Sequence, residues 1–249
     1  MKLLKTVVGR AFLIVVISLV IIATSFSVWA TATNPVMPEA ERALMSDEVV
    51  KVVKDGFIAF EPQTSVPSVG YVLYPGGRVQ AEAYAPLARA IAEQGYLVAI
   101  VYAPLNLAFF SLDAASDVIA RYPNIARWAV GGHSLGGVAA AIYAENHPNV
   151  AGLVLMASYP ANDALARSDA LRVLSLYATQ DGLASVDTVL SSAKSLPTGA
   201  QFVAIEGGNH AQFGWYGAQD GDKPASISRA EQMAQVVSAT LDLLAELAQ

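Results

Sequence analysis

The chain has 249 residues, 54% of them hydrophobic, a formal net charge of −6 and no cysteine. Beyond an apolar N-terminus, the remainder has the length of one well-buried domain rather than two. The lack of cysteine excludes disulfides, a thiol nucleophile and thiolate metal sites, and the mild acidity offers no basic footprint for nucleic acid.

Lys2, Lys5 and Arg10 precede an uncharged, mostly apolar run over residues 11–30. About 20 apolar residues span a bilayer as a helix. Alternatively, Val28-Trp29-Ala30 or Ala30-Thr31-Ala32 has small residues at the spacing a signal peptidase accepts. Residues 1–30 are thus expected to be a membrane anchor or a signal peptide. In both cases the positive flank stays in the cytoplasm, so the rest is extracytoplasmic, anchored or secreted. Residues 31–47, with Pro35 and Pro38, read as a linker, and residues 48–249 as the folded domain.

Strands are expected over residues 48–53 and 56–60, forming a hairpin around Lys54-Asp55-Gly56. An apolar strand over 69–74 ends in Pro75-Gly76-Gly77. Residues 81–94 have helical spacing at Tyr84, Leu87, Ala88 and Ile91, with Gly95 as a stop. A strand over 96–102 leads into an apolar loop to Phe110, and a helix is expected over 113–122. Then come a strand over 127–131, a helix reaching about Asn146, and strands over 150–157, 172–178 and 201–205. Short helices near 163–167 and 186–195 separate these strands, and a long amphipathic helix covers 226–247. Uninterrupted apolar strands separated by helices mark an α/β fold whose mostly parallel central sheet is flanked by helices on both faces. Ligands in such sheets bind beyond the carboxyl ends of the strands.

Between the strand over 127–131 and its following helix lies Gly132-His133-Ser134-Leu135-Gly136. This G-x-S-x-G pattern, in strand–turn–helix context, is a nucleophile elbow that presents Ser134 above the sheet. A serine hydroxyl needs an adjacent base. The chain has three histidines. His133 sits inside the elbow and cannot easily turn back on its neighbour. His147 ends the following helix, where it can cap carbonyls. His210, in a glycine-rich loop after a strand, suits the base. An acid must hold the imidazole, and in this architecture it falls between nucleophile and histidine in the chain. Asp181, directly past an apolar strand, is preferred, and Asp163 is the runner-up. Two backbone donors should form an oxyanion hole. One is the amide of Leu135. The other comes from the Pro75-Gly76-Gly77-Arg78 turn, with Gly77 preferred and Arg78 as the alternative.

These residues resemble the α/β-hydrolase superfamily, and within it the small "alpha/beta hydrolase fold-5" type. The resemblance covers roughly residues 69–247. It rests on Tyr74-Pro75-Gly76-Gly77, Tyr84-Ala85-Pro86-Leu87-Ala88, the elbow, Asp181-Gly182, and the run from Gly208-Asn209-His210 to Gly214. It implies a triad of Ser134, Asp181 and His210, but no particular substrate. Pro75 replaces the histidine that often precedes the oxyanion glycine in this superfamily.

The expected activity is hydrolysis of small acyl esters through an acyl-enzyme. The short connection after the strand over 150–157 leaves little room for a cap domain. Phe109, Phe110 and Phe213 are candidate walls for the acyl group, with Leu105, Leu107, Trp215 and Tyr216 as further candidates, and Arg78 could face an acidic substrate group. Acyl transfer, peptide cleavage and non-catalytic binding are alternatives on the same scaffold. No H-E-x-x-H and no helix-opening G-x-G-x-x-G occurs, so neither metal nor dinucleotide is expected, and no other cofactor is implied. The expected partners are a small-molecule acyl substrate and, through an uncleaved N-terminus, a membrane. Oligomeric state is not legible.

Overall fold

The computed structural model describes residues 2–249. The side chains of residues 1–8, including the flanking Lys2 and Lys5, lie outside the described part. Helix α1 (Lys2–Thr31) opens the chain. Its segment Gly9–Thr31 is long and apolar enough to cross a bilayer, with mean hydropathy 2.7 and no buried residue over its most apolar window.

The segment expected to be a linker is largely docked. Helix α2 (Pro38–Ala43) starts on a proline that needs no N–H there, and it buries Ala40 and Ala43. Arg89 donates from Nε to the Ala43 carbonyl at 2.8 Å and pairs through Nη1 with Asp47 at 2.8 Å.

Strands β1 (Val50–Lys54) and β2 (Phe57–Pro62) form the expected antiparallel hairpin. β3 (Val69–Tyr74) is followed by a 3-10 turn, Ala81–Tyr84, and then α3 (Ala85–Ala92). A single helix over 81–94 does not form, because Pro86 has no N–H to donate and fits only in the first turn of a new helix. β4 (Leu97–Val101), α4 (Ala114–Arg121), β5 (Arg127–His133), α5 (Leu135–Asn146), β6 (Gly152–Met156), β7 (Arg172–Ala178), α6 (Val186–Ser191) and β8 (Gln201–Ile205) follow. The final helix, α7 (Arg229–Leu247), starts later than its apolar pattern implies. Ser228 caps it, with Glu231 completing a reciprocal capping box.

The sheet has eight strands in the order β1-β2-β4-β3-β5-β6-β7-β8. β1, β2 and β4 pair antiparallel, and every pair from β4–β3 to β7–β8 is parallel. Helices α3 and α7 cover one face, through Leu87, Ile91, Val236 and Leu244. Helices α4 and α5 cover the other, through Val118, Ala139, Ala140 and Tyr143. All six residues of β3 are buried, as are those of β4 and β6. Each fully buried large aliphatic side chain stabilises the fold by about 1.5–3 kcal/mol. The carboxyl ends of β3, β5, β7 and β8 therefore converge on one rim. Residues 157–171, between β6 and β7, hold one 3-10 turn, Ala164–Arg167.

Candidate active site

Ser134 sits between β5 and α5 with φ 51° and ψ −121°. The positive φ is a strained conformation for a residue with a Cβ, of the kind that proteins keep at functional positions. The turn is held from three sides. The Ser134 N–H donates to Met156 (2.9 Å), the Gly137 N–H donates to the Ser134 carbonyl (3.0 Å), and Ser158 Oγ donates to the same carbonyl (2.7 Å). The glycines make room. A Cβ on Gly132 would lie 2.3 Å from the Gly136 carbonyl carbon, and one on Gly136 would lie 2.2 Å from the Tyr74 carbonyl oxygen.

Two loops meet opposite Ser134. Asp181, after β7, accepts at Oδ1 from the Leu183 and Ala184 amides, both at 2.7 Å. Its Oδ2 lies 2.8 Å from Nδ1 of His210, in the loop after β8, and both side chains are almost wholly buried. A carboxylate there accepts from Nδ1–H, which leaves Nε2 as the proton acceptor. Nε2 has no hydrogen-bond partner. Ser134 and His210 line one cavity of about 350 Å³, together with Leu135, Val138, Tyr159 and Leu183. Asp163, the other candidate acid, instead accepts from Ser195 Oγ.

Residues without a sequence motif brace these loops. Asp222 accepts from the Gly182 amide at Oδ1 (3.0 Å) and from the Ala211 amide at Oδ2 (2.9 Å), joining the Asp181 and His210 loops. The wholly buried Gln232 of α7 accepts from the Asn209 N–H and donates to the Asn209 carbonyl, both at 2.9 Å. Only the Asp220-Gly221-Asp222 turn pattern could have marked Asp222 beforehand.

His133 is buried, its ring centroid 4.4 Å from that of His210 and 5.5 Å from that of Phe213. Tyr84 accepts from the Gly76 N–H at 3.0 Å, and its hydroxyl lies 2.9 Å from His133 Nδ1. Burial, with the His210 ring as a lesser cause, holds the His133 pKa well below the ordinary histidine value. Burial likewise raises that of Tyr84. Both groups are therefore neutral at pH 7. His147 bonds through Nδ1 to the Tyr143 carbonyl at 2.9 Å, at the end of α5.

Among the described residues, the amides of Gly77 and Leu135 have no protein acceptor. The two residues touch, since a Cβ on Gly77 would lie 3.1 Å from Leu135 Cδ2 and 3.4 Å from Leu135 Cβ. The Gly76 N–H is taken by Tyr84, and the Arg78 N–H donates to Asn106 at 2.7 Å. Arg78 thus drops out as the alternative oxyanion donor.

The expected pocket side chains lie elsewhere. Phe213 is fully buried and stacks on His133 rather than lining the Ser134 cavity. Phe109 and Phe110 are exposed, and Phe110 meets Phe26 of α1 edge-on at 6.5 Å. Arg78 donates from Nη2 to the Ala32 carbonyl (2.7 Å) and lies over the Trp29 ring (4.9 Å), also away from that cavity. The N-terminal segment takes Arg78 and Phe110, and the buried aromatic stack takes Phe213. No cluster that could hold a metal ion occurs among the described residues.

A strand order with one hairpin edge, parallel strands beyond it and a strained serine after the fifth strand defines a hydrolase-type α/β protein. The family model described as "Alpha/beta hydrolase family" matches residues 70–234, and the chain belongs to that family. Solved structures with the same fold include the esterase domain of a Rhodothermus marinus protein (14% identity, TM-score 0.61, covering 78% of this chain and 97% of that one). Est1E from Butyrivibrio proteoclasticus (13%, 0.58, 80% and 99%) and TT1662 from Thermus thermophilus (14%, 0.57, 78% and 98%) are also similar. No curated protein matches the sequence significantly.

Proposed function

We propose that the protein is a serine hydrolase that cleaves small acyl esters with Ser134 as nucleophile, His210 as base and Asp181 as its orienting acid. The observation that carries this reading is the buried Asp181–His210 hydrogen bond of 2.8 Å, which leaves Nε2 without a partner among the described residues, on a histidine that lines the same cavity as Ser134. Ser134 Oγ has no protein partner either, so the serine–histidine bond closes when substrate arrives, as in many ligand-free sites.

In the first step His210 Nε2 takes the Ser134 proton as Oγ attacks the ester carbonyl. The Gly77 and Leu135 amides receive the developing oxyanion, helped by the positive end of α5. The tetrahedral intermediate expels the alcohol, which leaves with the proton from His210. Water, activated by the same imidazole, then releases the acid. The cavity of about 350 Å³, walled in part by Leu135, Val138 and Leu183, suits a small acyl group.

Labelling with a fluorophosphonate probe, followed by mass spectrometry, tests the nucleophile. Wild type should carry the label on Ser134, and Ser134→Ala should lose both label and turnover of p-nitrophenyl acetate to hexanoate. A folded wild type that neither labels nor turns over these esters overturns the reading.

We further propose a membrane anchor, supported by the exposed apolar helix, with the domain outside the cytoplasm on the ground of Lys2, Lys5 and Arg10 before the apolar run. A full-length protein retained in the membrane after carbonate washing is the expected result. A shortened, soluble mature form points to a cleaved signal instead.

A further inference from the structure

A second chamber, of about 170 Å³, shares Gln219 with the Ser134 cavity and is lined by Gly77, which touches Leu135 of that cavity. Its walls include Ala32, Asn34, Gly77, Arg78, Gln219 and Asp220. Gln219 borders both cavities, and Leu135, in contact with Gly77, belongs to the first. The two unpaired amides thus sit where the chambers meet. An ester carbonyl held there directs its acyl group into one chamber and its alcohol into the other.

The outer wall is the segment that follows α1, and it is fastened in place. Arg78 Nη2 donates to the Ala32 carbonyl (2.7 Å), Gln80 Nε2 to Thr33 Oγ1 (3.0 Å), and Asn34 Nδ2 to the Ala218 carbonyl (2.5 Å). The Met37 N–H donates to Trp215 (2.9 Å).

The chamber's unused polar groups define its ligand. Arg78 Nε is buried without a partner. Tyr216 donates to Gln219 Oε1 at 2.9 Å, which leaves the Gln219 amide nitrogen as a donor. Asn34 Oδ1 and the Asp220 carboxylate make no hydrogen bond and are acceptors. A cation and an anion face the same space, so neither sign of net charge is favoured. Hydroxyl groups, which donate and accept at once, satisfy this set. The volume is well above the roughly 10–15 Å³ that a single water needs, and it has room for a polyol of glycerol size.

We propose that this second chamber is the leaving-group subsite and takes an uncharged polyol of glycerol size, with the post-helix segment as its wall. The proposal rests on the serine-hydrolase reading. The ester C–O bond breaks, the acyl group passes to Ser134 Oγ, and the polyol departs as an alcohol with the proton from His210. Water then yields the free acid.

The test uses the full chain in detergent micelles and two esters with one acyl group, 1-butyrylglycerol and ethyl butyrate. The readout is the ratio of their kcat/KM values. Wild type should favour the glycerol ester. Ala32→Phe, which fills the chamber, should lower the ratio about tenfold or more, and Asn34→Ala should lower it about fivefold, the scale of one lost hydrogen bond. The fluorophosphonate labelling rate, followed in parallel, reports the triad and the two amides without a glycerol group to seat. Normal labelling with a ratio near unity in wild type, or one unmoved in both variants, overturns the subsite. An unlabelled wild type brings down the hydrolase reading and the subsite with it. Should Ala32→Phe fail to fold, Asn34→Ala decides.

Discussion

Gly136→Ala is the sharpest test of how the elbow is built. The added Cβ would stand 2.2 Å from the Tyr74 carbonyl oxygen and 2.4 Å from that of Pro75. Ordinary carbon–oxygen contacts are about 3.3–3.6 Å, so the start of α5 and the turn after β3 must part by about 1 Å. Both obstructing atoms are main-chain, and no rotamer change relieves them. Overpacking of this kind costs about 1–3 kcal/mol, and the rigid obstruction places this case at the upper end. The same displacement pulls the Gly77 and Leu135 amides apart, and a misplacement of about 1 Å can cost about 100-fold in rate. Urea denaturation followed by tryptophan fluorescence measures the first effect, and the fluorophosphonate labelling rate measures the second. Gly199→Ala is the control, because its Cβ would meet nothing within 4 Å. A Gly136→Ala protein indistinguishable from Gly199→Ala in both assays refutes the reasoning.

Ser134→Gly should be more stable than Ser134→Ala by about 1 kcal/mol in urea, because glycine accepts the φ of 51° that alanine cannot relieve; equal midpoints argue against strain. Asp181→Asn should lower kcat about 10⁴-fold by presenting an N–H to His210 Nδ1 and forcing the wrong tautomer, and a loss of less than tenfold sinks the orienting role. His133 has a depressed folded-state pKa, so the unfolded chain binds the proton first. Stability is full above about pH 6.5 and falls by about 1.4 kcal/mol per unit below it, down to the depressed folded-state value. His133→Asn should flatten that slope between pH 6.5 and 5 in urea titrations, and an unchanged slope refutes the assignment to this ring.

The parallel core was legible because its strands are uninterrupted apolar runs, and a strand buried on both faces needs no more than that. Asp181 and His210 could be singled out because each follows such a run directly. Side-chain direction was not legible. Arg78, Phe110 and Phe213 are drawn to Trp29, Phe26 and His133, partners from distant parts of the chain. The docked segment escaped for a similar reason. Asn34 bonds to Ala218, 184 residues away, and Met37 to Trp215, and two prolines nearby read locally as a linker. Asp222 and Gln232, which brace the His210 loop, carry no motif because their function is to hold main-chain groups.

The fastening of residues 32–37 to the domain has a mechanical meaning. A free leash of the 17 residues 31–47 would wander about 5–6 Å × √17, or about 20–25 Å. The bonds from Ala32, Thr33, Asn34 and Met37 shorten that leash to almost nothing. With α1 in a bilayer, the domain is a bracket bolted to its post. Its rim would then keep one height and one heading above the lipid, with Phe110 held against Phe26 of the helix. An enzyme so anchored would sample the film of water next to the bilayer, and lengthening the chain after Thr31 would release it to search the bulk.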